Sequence, residues 1–188
     1  YDFIKKTKPG YVFFPHWSWR IPKRIFEEFK CVAFRMTDLP YGRGGSPLQN
    51  LIARGIYKTK ISAIKVIDEI DGGPVYLKRD LVLRGSATEI FKEASRIIFR
   101  HMIPHILKRK PIPVSQNGRI TKFKRRTPAQ GNIAGLEGAR RIYDYIRMLD
   151  AEGYEPAFLE TPALKVEFAA AKRKKDCVLA TAKIRVKK

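Results

Sequence analysis

Acidic side chains are scarce in this sequence: 18 Asp and Glu stand against 39 Lys and Arg in 188 residues, for a formal charge of +21. Self-repulsion of that size destabilises a compact fold unless a polyanion or counterions offset it. Balanced surface ion-pair networks need both signs, so the charge argues against them. It points instead to nucleic acid, whose phosphates release counterions to Lys and Arg. Cysteine is nearly lacking as well. Cys31 and Cys177 lie far apart without metal-ligand spacing, and both are expected as buried thiols in a reducing compartment. Histidine is sparse. His101 and His105 are spaced four apart on a predicted helix, but no carboxylate or third ligand lies nearby, so no metal is assigned. No apolar run is long enough to span a bilayer and no signal peptide opens the chain, so no membrane partner is expected.

What remains is 44% hydrophobic, enough for one sizeable core. "PGYVFFPHW" reads as a short buried strand, and Pro22 opens a helix over "PKRIFEEFK". "CVAFRM" is the next strand, and Ser46-Pro47 start a helix that Gly55 ends. "KISAIKVIDEI" alternates as a strand to about Ile67, "DGGP" turns the chain, and "VYLKRDLVL" is the returning strand. Ser86 and Glu89 form a capping box before a long helix that Pro104 should kink or end. Apolar residues at Leu136, Ala139, Ile142, Ile146 and Leu149 mark a later helix, and two alternating strands follow around a basic turn, Lys172–Lys175. The large aromatics Trp17 and Trp19 are expected to pack inward. Strands alternating with helices imply an α/β layered fold.

Charge is unevenly spread. From Ala94 to Leu136 there is no acid, while Lys108, Arg109, Lys110, Arg119, Lys122, Lys124, Arg125 and Arg126 fall inside that span. Residues 108–132 read as an extended basic loop that orders only on a partner. Lys172, Arg173, Lys174 and Lys175 form a second cluster, Lys187 and Lys188 a third, and Arg140 sits beside Arg141 at the start of the late helix. All are candidate RNA contacts, through backbone and shape, since no RNA-binding motif is present.

The loop "TDLPYGRGGSPLQ" and the turn "IDGGP" carry a family likeness. Thr37, Leu39, Pro40, Arg43, Gly44, Pro47 and Gln49 match one motif, Asp71, Gly73 and Pro74 a second, and "DYIRMLDAEGYEPAF" a third. In order and spacing these resemble the folate-dependent formyltransferase family over most of residues 11–160. The resemblance implies a Rossmann-type layered sheet with helices on both faces for residues 1–158, to which the alternating pattern adds a basic β-hairpin over 159–188. It also implies formyl transfer from 10-formyltetrahydrofolate to an amine, with an Asn and a His stabilising the oxyanion and an Asp supporting the His. Here the Asn position is Ala33 and the His position is Arg35, which leaves Asp71 of the three. The family's domain begins with a strand–helix–strand portion, whereas only "YDFIKKTKPG" precedes the matched segment, so a front portion is expected to be missing.

Together these observations lead to an expectation of a degenerate formyltransferase, with Asp71 vestigial and salt-bridged to Arg35 and with no cofactor. It would be reused as a cytoplasmic, ribosome-associated structural protein that contacts rRNA and neighbouring ribosomal proteins. The alternative is an active N-formyltransferase using 10-formyltetrahydrofolate and acting on an amino-sugar nucleotide or on methionyl-tRNA.

Overall fold

Short apolar or alternating stretches become strands here, and runs with a 3.6-residue apolar period become helices. In the computed structural model, which describes residues 1–187, the chain forms two compact units woven from alternating stretches. The first comprises Tyr1–Pro47, Lys58–Leu81 and Glu93–Lys124; the second comprises Leu48–Tyr57, Val82–Lys92 and the chain from Arg125 onward.

A short helix α1 (Asp2–Thr7) precedes β1 (Val12–Phe14), α2 (Lys23–Glu28), β2 (Cys31–Arg35), β3 (Arg43–Gly44) and α3 (Pro47–Ala53). Then come β4 (Lys58–Lys65) and β5 (Val75–Val82), giving a four-stranded sheet of order β1-β2-β4-β5. β1 runs parallel to β2, with Val12 opposite Cys31, and β2 runs antiparallel to β4, with Ala33 opposite Ile64. Central strands bury both faces and read as nearly continuous apolar runs. Cys31, Val32 and Phe34 of β2 and Ile61, Ala63 and Ile64 of β4 are accordingly buried. Ser62 is buried among them without penalty, since its hydroxyl donates to the Thr37 carbonyl at 2.7 Å and accepts from the Leu39 N–H at 3.3 Å.

The capping box forms as the sequence suggests: the Glu89 carboxylate accepts from the Ser86 N–H at 2.7 Å, and Ser86 Oγ accepts from the Glu89 N–H. It opens α4 (Ala87–Ile97), which continues through one π turn, Ile98–Met102, into α5 (Ile103–Arg109). Pro104 therefore neither ends nor breaks the helical run. It falls in the first turn of α5, where its missing N–H does no harm, and the π turn absorbs the irregularity.

The stretch after α5 differs from the expected partner-ordered loop. Val114 bridges Val75, and β6 (Lys122–Phe123) pairs in parallel with β3. Phe123 is buried, and its ring meets Tyr41 edge-on at 5.5 Å. The buried ring, the Val114 bridge and the β3–β6 pairing together tie the segment to the first unit.

A 3-10 turn, Pro128–Gly131, leads to α6 (Ala139–Arg147). The C-terminal hairpin is β8 (Leu164–Arg173) with β9 (Val178–Val186), and β7 (Ala157–Glu160) joins it to make a three-stranded antiparallel sheet. Ile133, Ile146 and Ala157 form the core of this second unit, with Ile142, Leu149 and Phe168 packed against it. No helix among the described residues is long and apolar enough to cross a membrane.

The two cysteines are not alike. Cys31 is buried in β2, and burial pushes its thiol up to about 11; Cys177 is exposed at the β8–β9 turn, where no core can form around it. The thiolate is the reactive species, so iodoacetamide at neutral pH should label Cys177 and spare Cys31 in peptide mass maps. Labelling of Cys31 at a similar rate in the folded protein would contradict this packing.

Candidate active site

Side chains two apart on a strand share a face, so β2 presents Ala33 and Arg35 together. Both line a cleft of about 150 Å³ in the first unit, with Trp17, Trp19, Ile21 and Phe26 along one stretch of wall and Ile64 to Asp71 along another. Trp17 and Trp19 are 43% and 79% exposed. They thus do not pack inward as expected, because they lie in the open loop after β1 and form the cleft's wall.

Asp71 enters from the turn after β4 in a left-handed conformation, φ 56°. Its carboxylate accepts from Arg35 Nε at 2.8 Å and from the Gly44 N–H at 2.8 Å. Arg35 in turn donates through Nη2 to the Gly44 carbonyl at 2.9 Å and through Nη1 to the Trp17 carbonyl at 3.3 Å. One guanidinium thereby joins β2, β3, the Asp71 turn and the tryptophan loop. The expected Arg35–Asp71 salt bridge is present.

Gln116, which no motif marks, holds the turn in place together with Arg43 of the matched loop. Gln116 Nε2 donates to the Asp71 carbonyl at 2.7 Å and to the Gly73 carbonyl at 2.8 Å. Its Oε1 accepts from Arg43 Nε at 3.1 Å and Nη2 at 2.9 Å, and Arg43 Nη1 reaches Glu69 at 2.6 Å. Close backbone approaches fix the glycines. A Cβ on Gly73 would meet the Lys65 carbonyl at 1.7 Å, and one on Gly44, at φ +106°, would meet the Phe123 carbonyl at 2.5 Å. Gln116 lies in a Pro- and Lys-rich stretch with no periodicity, so no sequence signal marks it. The register of β6 against β3 could have done so.

The loop between β2 and β3 is tethered by Asp38, which receives Lys78 Nζ at 2.5 Å and Lys60 Nζ at 3.1 Å. Burial by itself pushes this carboxyl up, but hydrogen bonds and charge from Lys78 and Lys60 outweigh it and hold it below its ordinary range.

The basic residues are divided between the two units. Lys108 and Arg109 end α5, Lys110 is its left-handed C-cap, Arg119 is exposed, and Lys122 and Lys124 flank buried Phe123, all within the first unit. Arg125, Arg126, Lys172, Arg173, Lys174 and Lys175 belong to the second unit, with Arg126 stacked over Tyr145 at 5.2 Å. Lys187 pairs with Glu160 at 2.9 Å. Lys188 lies outside the described residues.

A family model of the methionyl-tRNA formyltransferase C-terminal domain matches residues 128–185. Over 153 residues the chain is 29% identical to methionyl-tRNA formyltransferase of Rickettsia prowazekii, covering 78% of this chain and 50% of that protein. It thus spans about half the length of the curated relatives it matches. The solved methionyl-tRNA formyltransferase from Clostridium thermocellum is 54% identical with a TM-score of 0.96, covering 99% of this chain and 82% of that one. HypX from Aquifex aeolicus, solved with tetrahydrofolic acid, shares the fold at 15% identity and a TM-score of 0.74, over 90% of this chain and 30% of that one.

These relatives overturn the expectation of a pseudoenzyme reused as an rRNA-binding ribosomal protein. At 54% identity the likeness is to methionyl-tRNA formyltransferase, and nothing in it leads to a ribosome. Neither Ala33 and Arg35 at the family's Asn and His positions nor a charge of +21 therefore marks a ribosomal pseudoenzyme.

Two outcomes test the geometry. Gln116→Leu leaves two turn carbonyls and Arg43 without their partner, so it should cost about 1–3 kcal/mol in urea unfolding; an unchanged midpoint would mean that the clamp contributes nothing. Asp38 has a depressed folded pKa, so its contribution is present above about pH 4, the unfolded carboxyl range, and is lost as pH falls through the lowered folded value. The melting-temperature advantage of the wild type over Asp38→Asn at pH 7 should therefore shrink steadily as the pH is lowered below about 4. An advantage that persisted there would contradict the assignment.

Proposed function

The chain belongs to the methionyl-tRNA formyltransferase family, and from that premise we propose that it carries the site for N-formyl transfer from 10-formyltetrahydrofolate to the amine of methionyl-tRNA. The observation that carries this reading is the Arg35–Asp71 pair, fixed through Gly44 at the base of the cleft. The cleft suits a flat heterocyclic donor. Trp17, Trp19, Phe26, Ile64 and Ile67 offer apolar wall, and the backbone from Lys65 to Asp71 offers hydrogen-bonding groups alongside.

The donor, when bound, supplies the formyl group. The chain's own contribution begins with Arg35, which stays charged at any physiological pH and cannot take a proton from the amine. Its role is electrostatic: a fixed positive charge near a carbonyl oxygen stabilises the negative charge that develops there. Asp71 holds that guanidinium in place. Its carboxylate retains lone pairs beyond the two bonds to Arg35 and Gly44, so it can accept the proton that the amine sheds. Ala33 leaves room beside Arg35 and contributes no donor.

The exposed cations of each unit serve the acceptor. Lys108, Arg109, Lys110, Arg119, Lys122 and Lys124 in the first unit, and Arg125, Lys172, Arg173, Lys174 and Lys175 in the second, offer charge to an RNA backbone. Arg126 adds a guanidinium already stacked on an aromatic ring.

The test is transfer of labelled formyl from 10-formyltetrahydrofolate to methionyl-tRNA. The wild type should turn over, and Arg35→Ala should slow the transfer by about 10²–10³. No transfer by the wild type with both substrates saturating would overturn the reading.

A further inference from the structure

A pocket of about 500 Å³ in the second unit is lined by Arg54, Tyr57, Glu137, Arg140, Arg141 and Tyr145, among others. We propose that this pocket is a phosphate-binding site in which Arg140, mounted on the face of Tyr57, and Arg141 grip a backbone phosphate of RNA. The site stands on the contacts below; the choice of RNA as the source of the phosphate draws on the function proposed above.

The mounting is unusually complete for an exposed arginine. The Arg140 guanidinium lies 4.7 Å from the centroid of the Tyr57 ring, and its Nε donates to the Tyr57 hydroxyl at 3.2 Å. Tyr57 is itself held fast. Its hydroxyl donates to Asp144 Oδ2 at 2.6 Å, and the Arg147 guanidinium lies 5.7 Å from its ring. Asp144 and Arg147 are buried and joined at 2.7 Å. Arg147 Nη1 also donates to the Leu83 and Gly85 carbonyls, at 3.0 and 2.8 Å. The exposed guanidinium therefore rests on a locked network inside the unit.

That network uses the flat face and the Nε of Arg140 and leaves its fork. Among the described residues no acceptor meets either Nη group of Arg140, and the Arg141 side chain forms no hydrogen bond or ion pair. Glu137 lines the same pocket but forms no ion pair with either arginine, and both oxygens of Asp144 are committed, to Tyr57 and to Arg147. Arg54 brings a third guanidinium, positioned by two bonds from Nη1 to Asn50. The nine-residue α6 begins beside the pocket at Gly138, and the positive end of its dipole adds to the field. A structural arginine spends its fork on carbonyls, as Arg147 does. One that is held rigid with its fork open is preorganised to grip an anion through two oxygens at once, as a phosphate group offers.

The experiment measures binding alone, so it is independent of any formyl transfer. Full-chain wild type, Arg140→Lys, Arg141→Gln and a charge control, Lys5→Gln/Lys6→Gln on α1, are titrated with tRNA and, separately, with UDP, across a salt series. Each pocket variant should weaken tRNA binding roughly tenfold, and Arg141→Gln should lower the salt slope by about 0.7–0.9. Arg140→Lys keeps the charge, so its loss of affinity would isolate the fork and the stacked mounting. Loss of UDP binding with tRNA binding intact keeps the phosphate site and assigns it to a free nucleotide. Equal, small losses in the pocket variants and in the control, or unchanged affinity for both probes, would overturn the site. Matching melting temperatures separate these outcomes from misfolding.

Discussion

The architecture of the cleft depends on a carboxylate held where backbone sterics disfavour it. Asp71 has a positive φ, which a non-glycine residue adopts at a cost of order 1–3 kcal/mol. Its neighbours over-determine it. The side chain is bound by Arg35 and by the Gly44 N–H, and its carbonyl accepts from Gln116. Each partner comes from a different stretch of the first unit, and two are fixed by strand pairing: Gly44 against Phe123 in the β3–β6 ladder, and Arg35 in register with Ser62 on β4. The turn cannot relax without unmaking contacts in several elements at once.

The same logic explains how a chain of charge +21 holds a compact fold. Three carboxylates tie together stretches distant in the chain: Asp71, Asp38 and, through Tyr57, Asp144. Asp71 takes Arg35, Asp38 takes Lys60 and Lys78, and Asp144 takes Arg147. Surplus cations lie outside these pairs, at the end of α5, around β6 and at the β8–β9 turn. Exposed cations are screened by solvent and salt, so their mutual repulsion is spread rather than concentrated. Buried charges such as Asp71 and Asp144 need a partner beside them. The acids are thus few but well placed.

Local patterns reveal much of this and long-range ones little. The strand at "CVAFRM", the Ser86–Glu89 box, the helix of Ile142 and Ile146 and the final hairpin each carry their own signature, and each forms. Arg35 and Asp71 could be paired because two motif positions marked them. Gln116, Arg43 with Glu69, and Tyr57 with Asp144 and Arg147 could not, because their partners are far apart in sequence and no periodicity links them. Phe123 was legible as an aromatic among lysines, and that composition suggested an exposed loop. Packing reversed the reading, since one ring buried beside Tyr41 outweighs the solvation preference of its neighbours. Trp17 and Trp19 show the opposite error: aromatics are mostly buried, except where they build the wall of a cleft.

Replacing an imidazole by a guanidinium changes what the base of the cleft demands of its surroundings. An imidazole must be kept in one protonation state near neutral pH, and its second nitrogen must be oriented by a carboxylate. A guanidinium is charged throughout and presents several donors in a fixed plane. At Arg35 those donors engage Asp71, the Gly44 carbonyl and the Trp17 carbonyl together, so the side chain that supplies charge also sets the geometry of the tryptophan wall. Electrostatics and shape are therefore not separable at this position. Moving the guanidinium would shift Asp71 and the wall with it, and losing Asp71 would leave a largely buried cation tied to carbonyl oxygens alone. The pair is better understood as one structural and electrostatic unit than as a residue and its counterion.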